Sequence, residues 1–194
     1  VYNQAVELGL GKEISAKKIW DAIIRSQVES GTPYVLFKDN ANRRNMQDNI
    51  AIISQSNLCI EILQASKSEY TPQCTLASIN LSEQDSVESI EKSTKILTKA
   101  LNQVIDLNKW SDEWSKKAGE DQRAIAIGVA GLSDFFAQRK VSFESEEAKE
   151  LNHKIFESMY KSALTQSMEL AIESGECYPA WEGSRYSRGE TYIE

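Results

Sequence analysis

The spacing of apolar residues changes period along this 194-residue chain, and that change limits the folds open to it. Between Ser15 and Ser30, Ala16, Ile19, Trp20, Ile23 and Ile24 recur at helical intervals. Ser15 is a candidate N-cap, and Gly31 and Pro33 end the pattern. Further on the period shortens. Tyr34-Val35-Leu36-Phe37 reads as a buried strand and Lys38–Asn49 as a polar loop. Asn57–Leu63 and Cys74–Ile79 read as two β-like runs joined by a polar connection, Gln64–Gln73, of a length that is often functional. From Asp85 onward helical spacing returns. Val87, Ile90, Leu97, Leu101 and Val104 form a stripe over Ser86–Leu107, and Gln122–Gln138 is apolar enough for a buried helix. Ala148, Leu151, Ile155, Met159 and Ala163 form a stripe over Ser145–Ser174, which opens on a serine and two glutamates and stops at Gly175. The tail, Glu176–Glu194, has little periodicity. No repeat or linker divides the chain, so it reads as one unit.

Composition excludes several functions. Lys plus Arg is 22 against 29 Asp plus Glu, a formal charge of −7, which argues against non-specific nucleic-acid binding. Hydrophobic residues at 41% and charged residues at 26% suit a globular core rather than disorder. No apolar run approaches the ~18–20 residues of a membrane span, and Val1-Tyr2-Asn3 lacks the basic flank of a signal peptide. Cys59, Cys74 and Cys177 do not make a secreted disulfide scaffold, and a single histidine, His153, argues against a zinc site of the usual ligands. The expectation is a reducing, cytoplasmic setting with no metal ligated by this chain. The first methionine is Met46, which gives the further expectation of a piece cut from something longer.

The chemistry concentrates in Ser56-Asn57-Leu58-Cys59-Ile60-Glu61-Ile62. On an extended backbone Asn57, Cys59 and Glu61 would share one face, with side chains two apart separated by roughly 6.5–7 Å. Leu58, Ile60 and Ile62 would anchor the other face. A thiol can act as a nucleophile or give up a hydrogen atom, a carboxylate can take a proton from a hydroxyl, and an amide can hold one. Alternation is also what any half-buried strand shows, and a strand cysteine is commonly just a small hydrophobe. The residues alone leave both readings open.

The wider pattern adds to this. Glu29-Ser30-Gly31-Thr32-Pro33-Tyr34, Lys38-Asp39-Asn40-Ala41-Asn42-Arg43, Ser56–Ile62 and Cys74-Thr75-Leu76-Ala77-Ser78-Ile79-Asn80-Leu81 occur in that order. Arg123–Asp134, Ser145-Glu146-Glu147-Ala148 and Glu182-Gly183-Ser184 follow. In order and spacing the chain resembles the catalytic (large, α) subunit of ribonucleoside-diphosphate reductase, nearly end to end. The resemblance implies an α/β fold, a segment of a ten-stranded α/β barrel, helix-rich, with a finger loop that carries the radical cysteine. Residues 1–194 would be one barrel segment, without the ATP-cone, the N-terminal half-barrel or the C-terminal tail.

By the same resemblance, Cys59 stands where a transient thiyl radical takes the ribose 3′ hydrogen. Glu61 stands where a carboxylate takes the 3′-hydroxyl proton, and Asn57 where an amide holds the substrate. Cys74 matches one member of the redox pair that ends as a disulfide, its partner lying outside this chain. The implied partners are a ribonucleotide, a radical-generating small (β) subunit with a dimetal cofactor, a thioredoxin- or glutaredoxin-like reductant, and the rest of the catalytic subunit. An adenosylcobalamin-dependent radical source is the alternative. ATP and deoxynucleotide effectors would bind parts not present here, and neither nucleic acid nor membrane is implied. The rival reading is an inactive fragment or split-gene piece that serves only in assembly, and a weaker one is a generic helical binding domain.

Other residues have plain readings. His153 reads as solvated, as do Arg43-Arg44, Arg185 and Arg188. Gly128-Val129-Ala130-Gly131 reads as tight helix packing, the four tryptophans as core or interface residues, and Cys177 as an incidental buried thiol.

Overall fold

The structure is a computed structural model and describes residues 2–192. Helices α1 (Tyr2–Glu7), α2 (Ala16–Ser30) and α3 (Lys38–Arg43) lead to strand β1 (Thr75–Asn80). Then come α4 (Val87–Leu107), α5 (Glu113–Gln122), β2 (Ile125–Ala130), α6 (Leu132–Gln138) and α7 (Glu146–Ser174). Short 3₁₀ turns occupy Leu81–Glu83, Pro179–Trp181 and Tyr186–Arg188. The expected tail runs past the described residues at Ile193 and Glu194.

The long helices are bounded by chemistry readable in the sequence. The Ser86 hydroxyl accepts from the Ser89 N–H and the Ser89 hydroxyl from the Ser86 N–H, so α4 opens on a reciprocal cap. The Ser145 hydroxyl accepts from the Ala148 N–H at the start of α7. Ser15 precedes α2 as expected, but its side chain makes no capping hydrogen bond. Gly31 and Gly175 close α2 and α7 in the left-handed region, at φ 77° and 75°.

β1 and β2 pair in parallel, Thr75 opposite Ile125 through Asn80 opposite Ala130. This corrects the expected single helix over Gln122–Gln138: the run is strand over Ile125–Ala130 and helix over Leu132–Gln138. Ile125, Ile127 and Val129 place β-branched side chains at alternate positions, and the run pairs with β1 instead of coiling. Gly131 then turns into α6 at φ 73°. Gly128 is a strand residue against Ser78, not a helix-packing contact: a Cβ there would lie 3.1 Å from the Ser78 hydroxyl.

The core lies where α4, packed on both strands, meets α7. Ile79, Leu81, Ile90, Phe135, Phe136, Ile155 and Met159 are buried together there. The α4 stripe proves to be Ile90, Thr94, Thr98, Leu101 and Ile105, while Val104 is exposed. The two threonines fit inside because each hydroxyl donates back to a carbonyl one turn earlier, Thr94 to Ile90 and Thr98 to Thr94. Thr75, Ala77 and Ile79 of β1 face inward to varying depth, and Cys74, Leu76, Ser78 and Asn80 are exposed on the alternate positions.

The N-terminal third departs most from expectation. Tyr34–Phe37 is neither strand nor buried: no strand among the described residues pairs with it, and Tyr34, Val35 and Phe37 are exposed. Lys38–Arg43, expected as loop, is helical, with Asp39 in its first turn and Arg43 in its last. No residue of α2 is buried among the described residues, and Ile19, Trp20, Ile24 and Val28 are exposed.

Candidate active site

Residues 44–74 contain no helix or strand, so side chains must satisfy their backbone. Asn42 does this at the base. Its amide donates to the Ile53 carbonyl and its oxygen accepts the Ile53 N–H, both at 2.8 Å. Asn45 donates to Ala51 O at 2.9 Å, and the Ser54 and Ser66 hydroxyls meet at 2.7 Å. Gln122 of α5 donates to Ala65 O at 3.2 Å, and Gln64 donates to Gln73 O at 2.8 Å, just before Cys74.

Within this segment Asn57–Glu61 forms a turn, which corrects the expected strand. The Ile60 N–H donates to Asn57 O at 3.2 Å, and Ile60 lies at φ 63°. Leu58 is 89% exposed and anchors nothing. The cause is Asn57: its side-chain oxygen accepts the Ile62 N–H at 3.2 Å, offering the backbone a local partner in place of a strand ladder. The turn still brings two of the expected groups together. The Asn57 amide donates to Glu61 Oε1 at 2.7 Å. Cys59 sits between them in sequence, at the turn, with an exposed thiol. Asn57 and Glu61 are exposed as well, so the described residues do not supply the dry enclosure that radical chemistry requires.

Cys74 precedes β1 and is also exposed. Partial burial raises its thiol pKa, and the Glu61 carboxylate and Cys59 raise it further. Charge on a thiolate is disfavoured there, so the neutral thiol, with its hydrogen retained, is the favoured form.

The remaining candidates fall elsewhere. His153 has a solvated side chain, 3.7 Å from Glu157. Trp20 and Trp114 are exposed and Trp110 and Trp181 half-buried, so none is a core residue. Cys177 is exposed, not buried. Arg185 and Arg188, expected in solvent, both hold Asp48, at 3.1 Å each. Around them Asn49 donates to Ala180 O and Glu182 O, and Tyr192 donates to Arg44 O at 2.7 Å. The tail is thus tied to the segment that carries the turn. Sequence reasoning missed this because the partners lie more than 130 residues apart, and nothing local pairs Asp48 with the two arginines.

The family described as "Ribonucleotide reductase, barrel domain" matches residues 1–194. The large chain of ribonucleoside-diphosphate reductase from Encephalitozoon cuniculi is 44% identical over 186 residues, covering 93% of this chain and 24% of that protein. Large chain 2 from Saccharomyces cerevisiae is 40% identical over 200 residues, covering 97% and 23%. Among solved structures, the Actinobacillus ureae class Id ribonucleotide reductase alpha subunit superposes with a TM-score of 0.78 at 30% identity, over 86% of this chain and 34% of that one. The chain therefore spans about a quarter of the length of the curated relatives it matches. No described helix is long and apolar enough to cross a membrane. A helix-rich segment with two parallel strands, matched from end to end by one family, this chain belongs to the barrel domain of the ribonucleotide reductase large subunit.

Proposed function

We propose that this chain carries the radical-bearing part of a ribonucleotide reductase active site, within a larger ten-stranded barrel. The observation that carries the reading is the Asn57–Glu61 turn. It joins an amide and a carboxylate at 2.7 Å on either side of an exposed thiol, with a second thiol electrostatically coupled to both Cys59 and Glu61.

On this reading Asn57 and Glu61 grip the ribose hydroxyls. Cys59, oxidised by one electron through a radical-generating small subunit, takes the hydrogen atom from C3′: an S–H bond forms and a C3′–H bond breaks. Glu61 accepts the 3′-hydroxyl proton in its carboxylate and returns it to the 3′-oxygen before the cycle closes. The C2′–O bond breaks and a C2′–H bond forms, with the 2′-oxygen leaving as water; the two electrons and two protons come from Cys74 and its redox partner, which end as a disulfide. Cys59 then returns a hydrogen atom to C3′ and recovers its radical. The high thiol pKa of Cys74 suits this role, because the reducing sulfur must keep its proton until the 2′-oxygen needs it. A thioredoxin- or glutaredoxin-like dithiol would restore the pair. The remaining barrel would exclude water from the site.

The rival, an assembly module without chemistry of its own, is favoured by one observation: α2 and Tyr34–Phe37 present unburied apolar side chains that suit a polypeptide partner. Both readings predict no turnover by the isolated chain. They separate in a complete large subunit that carries this segment, paired with its small subunit and given 3′-deuterated ribonucleotide. We expect a primary isotope effect on kcat/KM. Turnover without one would contradict hydrogen-atom abstraction, and absence of turnover in the complete enzyme would favour the assembly module.

A further inference from the structure

We propose that Ser56 is a positioning residue for this site, one that locks the Asn57 amide and closes the loop that displays Cys59; the inference rests on the reading just given. The Ser56 hydroxyl donates to Ile62 O at 2.6 Å and also lies 3.2 Å from Asn57 Oδ1. It joins the residues on either side of the turn at the loop's neck. The same Asn57 oxygen accepts the Ile62 N–H, so Ser56 holds the Ile62 carbonyl and Asn57 the Ile62 N–H, with the Ser56 hydroxyl shared toward the Asn57 oxygen.

The loop needs such a clasp. Ile60 is β-branched and sits at φ 63°, in the left-handed region that disfavours L side chains. Leu58 projects outward and contributes no burial to hold the turn shut. Backbone strain of this kind persists only where the surroundings over-determine it. Here the neck supplies that determination. An Asn57 side chain fixed through its oxygen can aim its amide at Glu61 in only one way, so the spacing of the two groups that would hold ribose depends on Ser56.

Residue-resolved hydrogen exchange on this chain tests the clasp. In Ser56→Ala the Ile60 and Ile62 amides should exchange about five-fold faster, the effect of losing one ordinary hydrogen bond. Amides of α4 and α7 should keep their rates, and Ser56→Thr should restore protection. Unchanged exchange at Ile60 and Ile62 in Ser56→Ala overturns the inference. Should the alanine variant lose its fold, Ser56→Val against Ser56→Thr isolates the hydroxyl at nearly equal shape, and equal exchange in that pair overturns it too. In the complete large subunit, Ser56→Ala should lower kcat by about ten-fold with KM little changed, and Ser56→Thr should rescue it. An unaltered kcat rejects the positioning role. Turnover that survives Cys59→Ala would instead defeat the reaction reading, so the two failures are distinguishable.

Discussion

At the scale of single residues, the turn over Asn57–Glu61 rests on one side chain: the Asn57 oxygen accepts the Ile62 N–H and its amide donates to Glu61. Asn57, Cys59 and Glu61 stand out as an amide, a thiol and a carboxylate at alternate positions, but alternation mistakes a turn for a strand. The amide that makes the run chemically interesting is the same group that bends it, since Asn57 binds the Ile62 N–H that a strand would need for its ladder. Ser56 leaves no periodic mark and is found only from its two bonds. The electrostatics give a sharp expectation. Partial burial raises the Cys74 pKa, with Glu61 and Cys59 adding to it. Replacing Glu61 by Gln removes a negative charge from beside the thiol and should lower that pKa. Site-resolved alkylation of Cys74 at pH 8 should therefore be faster in Glu61→Gln, and an equal or slower rate would contradict the coupling.

At the scale of elements, sequence signals succeed where one local rule decides and fail where distant partners do. Ser145 announces α7 correctly because a cap is a local hydrogen bond, and Ser86, where the α4 pattern begins, proves to cap that helix in the structure. Ser15 marks the start of α2 without capping it. Thermal unfolding should thus show Ser145→Ala destabilised by about 1 kcal/mol and Ser15→Ala nearly unchanged. Asp112 caps α5: hydrogen bonds from the Ser115 N–H, then from the Ser115 and Ser111 hydroxyls, hold its carboxyl down to about 2. A depressed carboxyl stabilises the fold above the unfolded value of about 4, and the contribution is lost as pH falls toward 2. The strand β2 and the helix α6 were hidden in one apolar stretch. What separates them is Gly131, at φ 73° with room for no Cβ, since one would lie 2.8 Å from Asn80 Oδ1. Gly131→Ala should cost at least about 1–2 kcal/mol in chemical unfolding. Tyr34–Phe37 fails as a strand for the opposite reason: its apolar run needs a neighbouring strand, and none of the described residues provides one.

At the scale of the whole molecule, two features govern behaviour. Asp48 ties the tail to the segment bearing the turn. Burial pushes its carboxyl up, but hydrogen bonds and charge from Arg188 and Arg185 outweigh this and hold it below the usual range. The latch is therefore fully formed above about pH 4 and is lost as pH falls through the lower folded value. Asp48→Asn should lower the melting temperature at neutral pH, and by less in high salt, because the pairs lie near the surface. The second feature is the uncovered apolar face of α2, with Trp20 at 58% and Val28 at 83% exposure. Alone, the chain should bind hydrophobic dye or self-associate, and a monomer with low dye binding would count against that. The central claim, however, is that Cys59 is the sulfur that reacts with ribose. Its most direct test is ribonucleotide reduction by the complete large subunit with Cys59→Ser. The account predicts loss of deoxyribonucleotide product with substrate binding retained, whereas product formed at the unaltered rate would contradict it.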